Sequence, residues 1–300
     1  KAKNAVLYTT LEPCCIQGRT PPCTNAIIEF GIKEIHVAAL DPNPKVNGNG
    51  VRQLREAGVT VHIEEQLEET KELYEGFAKH VNIGVPFVTA KFAISLDGKI
   101  ATHNGNSKWI TSEESRRQAN KLRMRSDAIM VGINTVIKDN PRLTARNNDG
   151  SVRHQQPLRV IVDSHCRTPN DSKLLHEPGK TLIATTTNYH TQSICNNSST
   201  EIIHMSADQG KVDLELLLVE LGNRGVVNLL VEGGGILLGS LFDKGLVDKI
   251  LAFVGPIIVG GAQAPSPVGG KGASQISQAL RLKNVSVLSI GDDILIKGYK

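Results

Sequence analysis

Short apolar runs alternate with helical segments along most of the chain, and this alternation restricts the fold more than any other feature. Apolar runs bounded by Gly and Pro read as strands. Helices between successive strands imply parallel pairing through crossovers. In residues 1–85 the pattern predicts strands at 5–10, 35–40 and 59–63 and helices at 23–30, 50–57 and 64–80. Pro21 and Pro22 open the first helix and Gly31 stops it, Asp41-Pro42-Asn43-Pro44 closes the second strand, and Gly58 ends the second helix. Such an order implies a three-layer α/β unit. The 64–80 segment sets Leu67, Leu73, Tyr74 and Phe77 on a charged background, an amphipathic helix leading into a linker at 82–86.

A second α/β pattern fills 86–300. Its strands are expected near 87–95, 128–132, 158–163, 181–186, 202–205, 226–231, 248–255 and 285–299, the last split at Gly291. Helices are expected near 112–125, 213–222 and 236–244, and polar loops at 147–156 and 188–200. No internal repeat is visible. The expected organisation is two α/β domains, 1–85 and 86–300.

Composition removes several classes of function. With 300 residues and 40% hydrophobic content the chain can bury a core without disulfides. Thirty-four basic against 30 acidic residues leave only +4, and one Trp, four Tyr and six Phe make a poor base-stacking platform, so nucleic acid is not an expected partner. Residues 250–270 carry no charge over 21 positions, the length of a membrane span, but Pro256, Gly260, Gly261, Pro265 and Pro267 break any helix there. They read as a core strand followed by a loop. The first residues lack both a signal-like apolar run and an initiator Met, and read as the inside of a domain. Five cysteines, three of them at 14, 15 and 23, argue against a disulfide framework; Cys166 and Cys195 read as small apolar or surface residues.

The clustered cysteines lie in Thr10-Leu11-Glu12-Pro13-Cys14-Cys15 and Gly18-Arg19-Thr20-Pro21-Pro22-Cys23, between a strand and a helix. Thiolates at such positions suit tetrahedral zinc, and a helix N-terminus stabilises them. A pair of structural thiols beside a Pro-rich turn is the open alternative, because two ligands do not make a zinc site. The wider string resembles the second half of the zinc-dependent nucleobase deaminase signature, in which a His-x-Glu motif precedes a Pro-Cys…Cys pair. Eight residues separate Cys14 from Cys23 where two are usual. That long form, together with the 40–50 stretch, resembles the deaminase half of the bifunctional riboflavin-biosynthesis deaminase/reductases. The resemblance implies a cytidine-deaminase-like fold, with Cys14 and Cys23 as Zn2+ ligands and with Arg19 and Thr20 near substrate. It places the His ligand and the catalytic Glu before Lys1. Without the Glu, no group shuttles the proton from zinc-bound water to ammonia. This domain is therefore expected to be truncated, and the chain as it stands is not expected to deaminate.

The remaining motifs are denser. Lys91-Phe92-Ala93-Ile94-Ser95-Leu96-Asp97-Gly98 reads as a strand and turn. Ser107-Lys108-Trp109-Ile110-Thr111-Ser112 leads into a helix capped by Ser112, with Glu113 and Glu114 in its first turn and Arg116, Arg117 and Arg123 along it. Val131-Gly132-Ile133-Asn134-Thr135-Val136 and Asp139-Asn140-Pro141-Arg142-Leu143-Thr144 follow. The 228–231 strand runs into Glu232-Gly233-Gly234-Gly235-Ile236, a glycine turn before a helix that suits a pyrophosphate, or serves only as a tight turn. It is not the Rossmann fingerprint. Taken singly, Trp109 also fits half-buried packing, Asp97 a turn, and Arg123 and Arg146 solvated charges.

In order, these motifs resemble the reductase half of the same bifunctional family, whose fold is like that of dihydrofolate reductase. The resemblance implies NADPH contacts at Ala93, Trp109, Thr135, Asp139 and Ser164 and along Gly234, Gly235, Ile236, Leu237, Leu238, Gly239 and Ser240. It implies contacts to a phosphorylated ribosylaminopyrimidine at Ser107, Arg123, Leu143, Arg146 and Glu232. Lys91 and Asp139 are the candidate catalytic residues, with Asp139 able to donate a proton. A cytoplasmic homo-oligomer of riboflavin biosynthesis, acting without nucleic acid or membrane, is what the family implies. The competing classes are a zinc-supported nucleotide-binding module without turnover and a nucleic-acid-editing deaminase; the even charge and few aromatics speak against the latter.

Overall fold

The computed structural model describes residues 2–18, 20–63, 67–187 and 198–300. Arg19, the predicted start of the third helix at 64–66, and Cys195 within the predicted 188–200 loop lie outside the described residues. The chain divides into two compact units, Lys1–Gly84 and Val85–Lys300.

The smaller unit runs β1 (Val6–Thr9), α1 (Cys23–Glu29), β2 (Glu34–Val37), α2 (Asn49–Glu56), β3 (Thr60–Ile63) and α3 (Leu67–Ile83). Its strands form a parallel sheet in the order β1-β2-β3, with Leu7 beside Ile35 and Ile35 beside Val61. Alternation puts Leu7, Ile35, Val37 and Val61 on one face, where Ile27 of α1 and Val51 and Leu54 of α2 close the core. The opposite face carries Tyr8, Glu34, His36 and His62, and Tyr8 is 71% exposed. Helices α1 and α2 cover the first face, and α3 reaches the chain just after β1, where the Tyr74 hydroxyl donates to Thr10 Oγ1 at 2.7 Å. Helix α3 runs to Ile83, into the predicted linker.

Glu12, just after β1, organises this unit. It is 3% exposed, and its carboxylate accepts from the backbone N–H groups of Asp41 (3.1 Å), Gly48 (2.9 Å) and Val51 (3.0 Å). Two of these belong to the N-terminal turn of α2, where a negative charge is favoured. Gly50 has no room for a side chain, since a Cβ there would lie 2.1 Å from the Pro13 carbonyl oxygen.

The larger unit runs β4 (Phe87–Ser95), α4 (Glu113–Arg125), β5 (Ala128–Gly132), α5 (Ile133–Asp139), β6 (Leu158–Val162), α6 (Lys173–His176), β7 (Thr181–Thr185), β8 (Thr200–His204), β9 (Ala207–Asp208), β10 (Lys211–Val212), α7 (Leu214–Asn223), β11 (Asn228–Glu232), α8 (Gly235–Asp243), β12 (Lys249–Gly255), β13 (Lys283–Ile290) and β14 (Asp293–Tyr299). Nine strands form one sheet, β13-β14-β12-β4-β11-β5-β6-β7-β8. The seven from β12 to β8 are parallel; β14 and β13 join antiparallel. Both faces of the parallel part are covered. Val88, Ala90, Ala128, Met130, Val160 and Leu182 meet α7 and α8 on one side, while Ile129, Val131, Ile161 and Ile183 meet α5 and α6 on the other. Double burial explains the unbroken apolar runs of these strands.

Several expectations shift. The 226–231 strand is Asn228–Glu232, which makes Glu232 its last residue, and the 202–205 strand begins at Thr200. Helix α5 was not anticipated, because the β-branched Ile133, Thr135, Val136 and Ile137 disfavour helix; burial of Ile133 and Val136, three apart, overrides that preference. Residues 250–270 are β12 followed by irregular chain, and no described helix is long and apolar enough to cross a membrane.

Replacing Glu12 by Ala strands three N–H groups, those of Asp41 and Val51 buried and that of Gly48 half-buried. The expected loss of stability is about 3 kcal/mol, read as a lower denaturant midpoint, and Glu12→Gln, which keeps one acceptor oxygen, loses less.

Candidate functional site

Glu232 and the glycine turn that follows it lie at the carboxyl end of the parallel strand β11, the end at which open α/β sheets hold ligands. On β4, Lys91 stands in register with Glu232 of β11 on one side and Leu251 of β12 on the other. Its Nζ lies 5.4 Å from the ring centre of Phe253. Glu232 is bound bidentately by Arg123 of α4: Nε donates to Oε1 at 2.8 Å and Nη2 to Oε2 at 2.6 Å. Arg123 Nη1 donates to the Thr144 carbonyl at 3.4 Å. Three of the five guanidinium N–H groups are thus engaged among the described residues, which leaves donors for a ligand.

Burial dominates the electrostatics of this group. It pushes the Glu232 carboxyl up, but the charge and hydrogen bonds of Arg123, with Lys91 adding to them, outweigh it and hold the group below the ordinary carboxylate range. Burial also pulls the Lys91 ammonium below its ordinary value; Glu232 opposes this and Arg123 reinforces it. The cluster is two cations sharing one carboxylate.

Helix α4 aims Arg123 through its own start. Ser112 caps it, its Oγ accepting from Ser115 N at 3.3 Å, and both Ser112 N and Oγ donate to Asp293 Oδ2 at 2.7 Å. The same helix places Asn120, which sequence reasoning missed, to clamp the backbone of Arg146: its Nδ2 donates to the Arg146 carbonyl at 2.7 Å and its Oδ1 accepts from Arg146 N at 2.9 Å. Trp109 is 67% exposed, so half-buried packing is not its role; the Arg116 guanidinium stacks on it at 4.2 Å. Asp97 is a turn residue that also accepts from Val259 N (3.0 Å) and Gly260 N (2.7 Å). The Ser95 hydroxyl and those two N–H groups hold its carboxyl at about 2.

The glycine turn follows Glu232 directly. Gly233 and Gly234 have φ of 71° and 85°, and α8 starts at Gly235 with no side-chain cap. A Cβ at Gly234 would lie 3.0 Å from Thr135 Oγ1, one at Gly235 2.9 Å from the Ser266 carbonyl oxygen, and one at Gly239 2.3 Å from the Gly269 carbonyl carbon. An uncapped helix start behind left-handed glycines is a cradle that fits an anionic phosphate, and Thr135 forms its wall.

Other predicted residues are placed differently. Leu143, Leu237 and Leu238 are buried in the core, so only their backbone can face a ligand. Ser164 spends its hydroxyl on Val212 N at 3.0 Å and its carbonyl on Thr186 and Thr187. Asp139 ends α5; its residue surface is open, yet desolvation around the carboxyl raises its pKa, with Lys108 and then Lys138 opposing, which sets it near the Ser107–Trp109 segment.

In the smaller unit, Cys23 N donates to Cys14 Sγ at 3.4 Å. The hydrogen bond with the Cys14 thiol, then burial, push the Cys23 thiol above its ordinary value. Two thiols are two of the four ligands that a zinc tetrahedron needs. Among the described residues no His, Cys, Asp or Glu joins them as a third ligand. Thr20 is exposed.

Comparison with known proteins adds an independent finding. Residues 86–296 match the RibD C-terminal domain family. The riboflavin biosynthesis protein RibD of Actinobacillus pleuropneumoniae is 42% identical over 297 residues, which are 98% of this chain and 78% of that protein. Among solved structures, Acinetobacter baumannii RibD superposes with a TM-score of 0.86 at 32% identity, covering 99% of this chain and 81% of that one. A diaminohydroxyphosphoribosylaminopyrimidine deaminase/5-amino-6-(5-phosphoribosylamino)uracil reductase from Thermotoga maritima gives a TM-score of 0.85 at 33% identity, covering 99% and 80%.

Glu232→Gln leaves Arg123 and Lys91 without their counter-charge. Because the Arg123 side chain keeps 25% exposure, the expected loss at neutral pH is roughly 2–3 kcal/mol, below that of a fully buried pair. The folded pKa of Glu232 is depressed, so its stabilisation is present above the unfolded carboxylate value, about 4.3, and fades as pH falls through the folded value. Denaturation midpoints of wild type and Glu232→Gln should therefore converge as pH falls below about 4.

Proposed function

The chain belongs to the RibD family of riboflavin biosynthesis proteins, and from that premise we propose that its larger unit, residues 86–300, reduces a phosphorylated ribosylaminopyrimidine to its ribitylamino form with NADPH. The observation that carries this reading is the Lys91–Arg123–Glu232 cluster at the strand ends, continuous in sequence with the Gly233–Gly235 turn.

The substrate carries its sugar as an aminated ring that must open before reduction. Opening breaks the C–O bond at the anomeric carbon and leaves an imine, the amine proton passing to the ring oxygen as it becomes a hydroxyl; reduction adds a hydride to that carbon and a proton to the nitrogen. Bound NADPH supplies the hydride. The Gly233–Gly235 turn, the uncapped start of α8 and Thr135 would hold its phosphates. Ser107, Arg146 and the remaining donors of Arg123 bind the substrate phosphate, and Glu232 accepts from sugar or pyrimidine donors. Two groups are tuned toward proton transfer: Lys91, whose ammonium is weakened by burial, and Asp139, whose carboxyl is raised. Most of the rate comes from positioning the imine carbon against the nicotinamide.

The smaller unit, residues 1–85, is part of a cytidine-deaminase-like zinc domain in this reading, with Cys14 and Cys23 as two of its ligands. The whole acts as a cytoplasmic homo-oligomer.

The test is NADPH oxidation with the ribosylamino-uracil phosphate as substrate. Turnover is expected; nucleotide binding without turnover would leave a non-catalytic module. Arg123→Ala should raise the substrate KM about 10- to 100-fold, the worth of charge-assisted phosphate bonds, and leave NADPH affinity nearly unchanged. Equal loss of both contradicts the assignment. Lys91→Met and Asp139→Asn separate the proton donors: the true donor loses kcat and its limb of the pH–rate profile, while the other keeps both.

A further inference from the structure

We propose that Glu34, His36 and His62 form a binding site for a divalent transition-metal ion of the zinc type on the face of the three-stranded sheet opposite α1 and α2. Glu34 and His36 are two apart on β2 and so point to the same side. Strands β2 and β3 pair in register at His36 and His62, which makes the two imidazoles neighbours across the ladder. Both Nε2 atoms approach one carboxylate oxygen, Glu34 Oε1, at 2.9 and 3.4 Å. One possible ligand atom from each residue lies within 4.8 Å of the others. Around zinc, bonds of about 2.0–2.1 Å put tetrahedral donors roughly 3.3 Å apart, so small side-chain rotations close the set on an ion.

Ring packing orients the ligands. Tyr8 stacks on His36 with centroids 4.6 Å apart and planes at 13°, and His36 stacks on His62 at 4.7 Å and 20°. The site is open to solvent: His62 and Glu34 side chains are 48% and 40% exposed, and His36 17%. Two imidazoles and one carboxylate suit Zn2+, Co2+ or Ni2+, whereas Mg2+ and Ca2+ call for oxygen ligands throughout. No cysteine belongs to the group, which separates it from the Cys14–Cys23 pair. The alternative is a carboxylate bridging two protonated Nε2 atoms, with no ion involved.

Co2+ alone, titrated into the 300-residue chain and followed by visible absorption and calorimetry, distinguishes the two. The expected result is a d–d spectrum from nitrogen and oxygen ligands that persists in the Cys14→Ser/Cys23→Ser double variant and is displaced by Zn2+. His36→Ala and His62→Ala should weaken that binding on the order of 100-fold, at least the cost of losing an outer-shell partner. Glu34→Gln, nearly isosteric, should weaken it without changing the far-ultraviolet circular dichroism, which guards against loss of fold. Binding that disappears in the double cysteine variant, or that is unchanged in both His62→Ala and Glu34→Gln, overturns the proposal.

Discussion

The bidentate bond between Arg123 and Glu232 is the constraint on which the larger unit's site depends. The Glu232 carboxylate, at the end of a central parallel strand, is 8% exposed, and it stays ionised there chiefly because a guanidinium from α4 meets it. That guanidinium needs the helix to start at a fixed place, and Ser112 provides it by capping the helix while being tied to Asp293 at the far end of the chain. Lys91 is then held as a weakened cation against the same carboxylate.

Much of this architecture was legible in the sequence. Strands 87–95 and 128–132 agree with Phe87–Ser95 and Ala128–Gly132 to the residue, because burial on both faces writes a continuous apolar run. The Ser112 cap was legible because a cap is local. What escaped was non-local or overridden by packing. The partners Arg123 and Glu232 are 109 positions apart, and nothing in either neighbourhood names the other. Helix α5 is held against its own β-branched composition by the core it joins. Glu12 looked like one residue of a cysteine motif, and its task, gathering N–H groups from 41, 48 and 51, is visible only when those segments are brought together.

In the smaller unit the sheet and helix order follow the spacing closely, and alternation within each strand sets what each face carries. Here one face carries Leu7, Ile35 and Val61, and the other carries Tyr8, His36 and His62. The second set has its own regularity, an aromatic ladder crossing all three strands, with a carboxylate at its edge.

The close approach of Gly239 to Gly269 has a consequence for how this site can change over time. Helix α8 and the segment crossing it touch backbone to backbone, with the Gly269 N–H donating to the Gly235 carbonyl. Neither partner can acquire a side chain by itself. A lineage that remodels the glycine turn for a bulkier ligand must first lift the crossing segment away, so the two stretches of chain inherit their shape together.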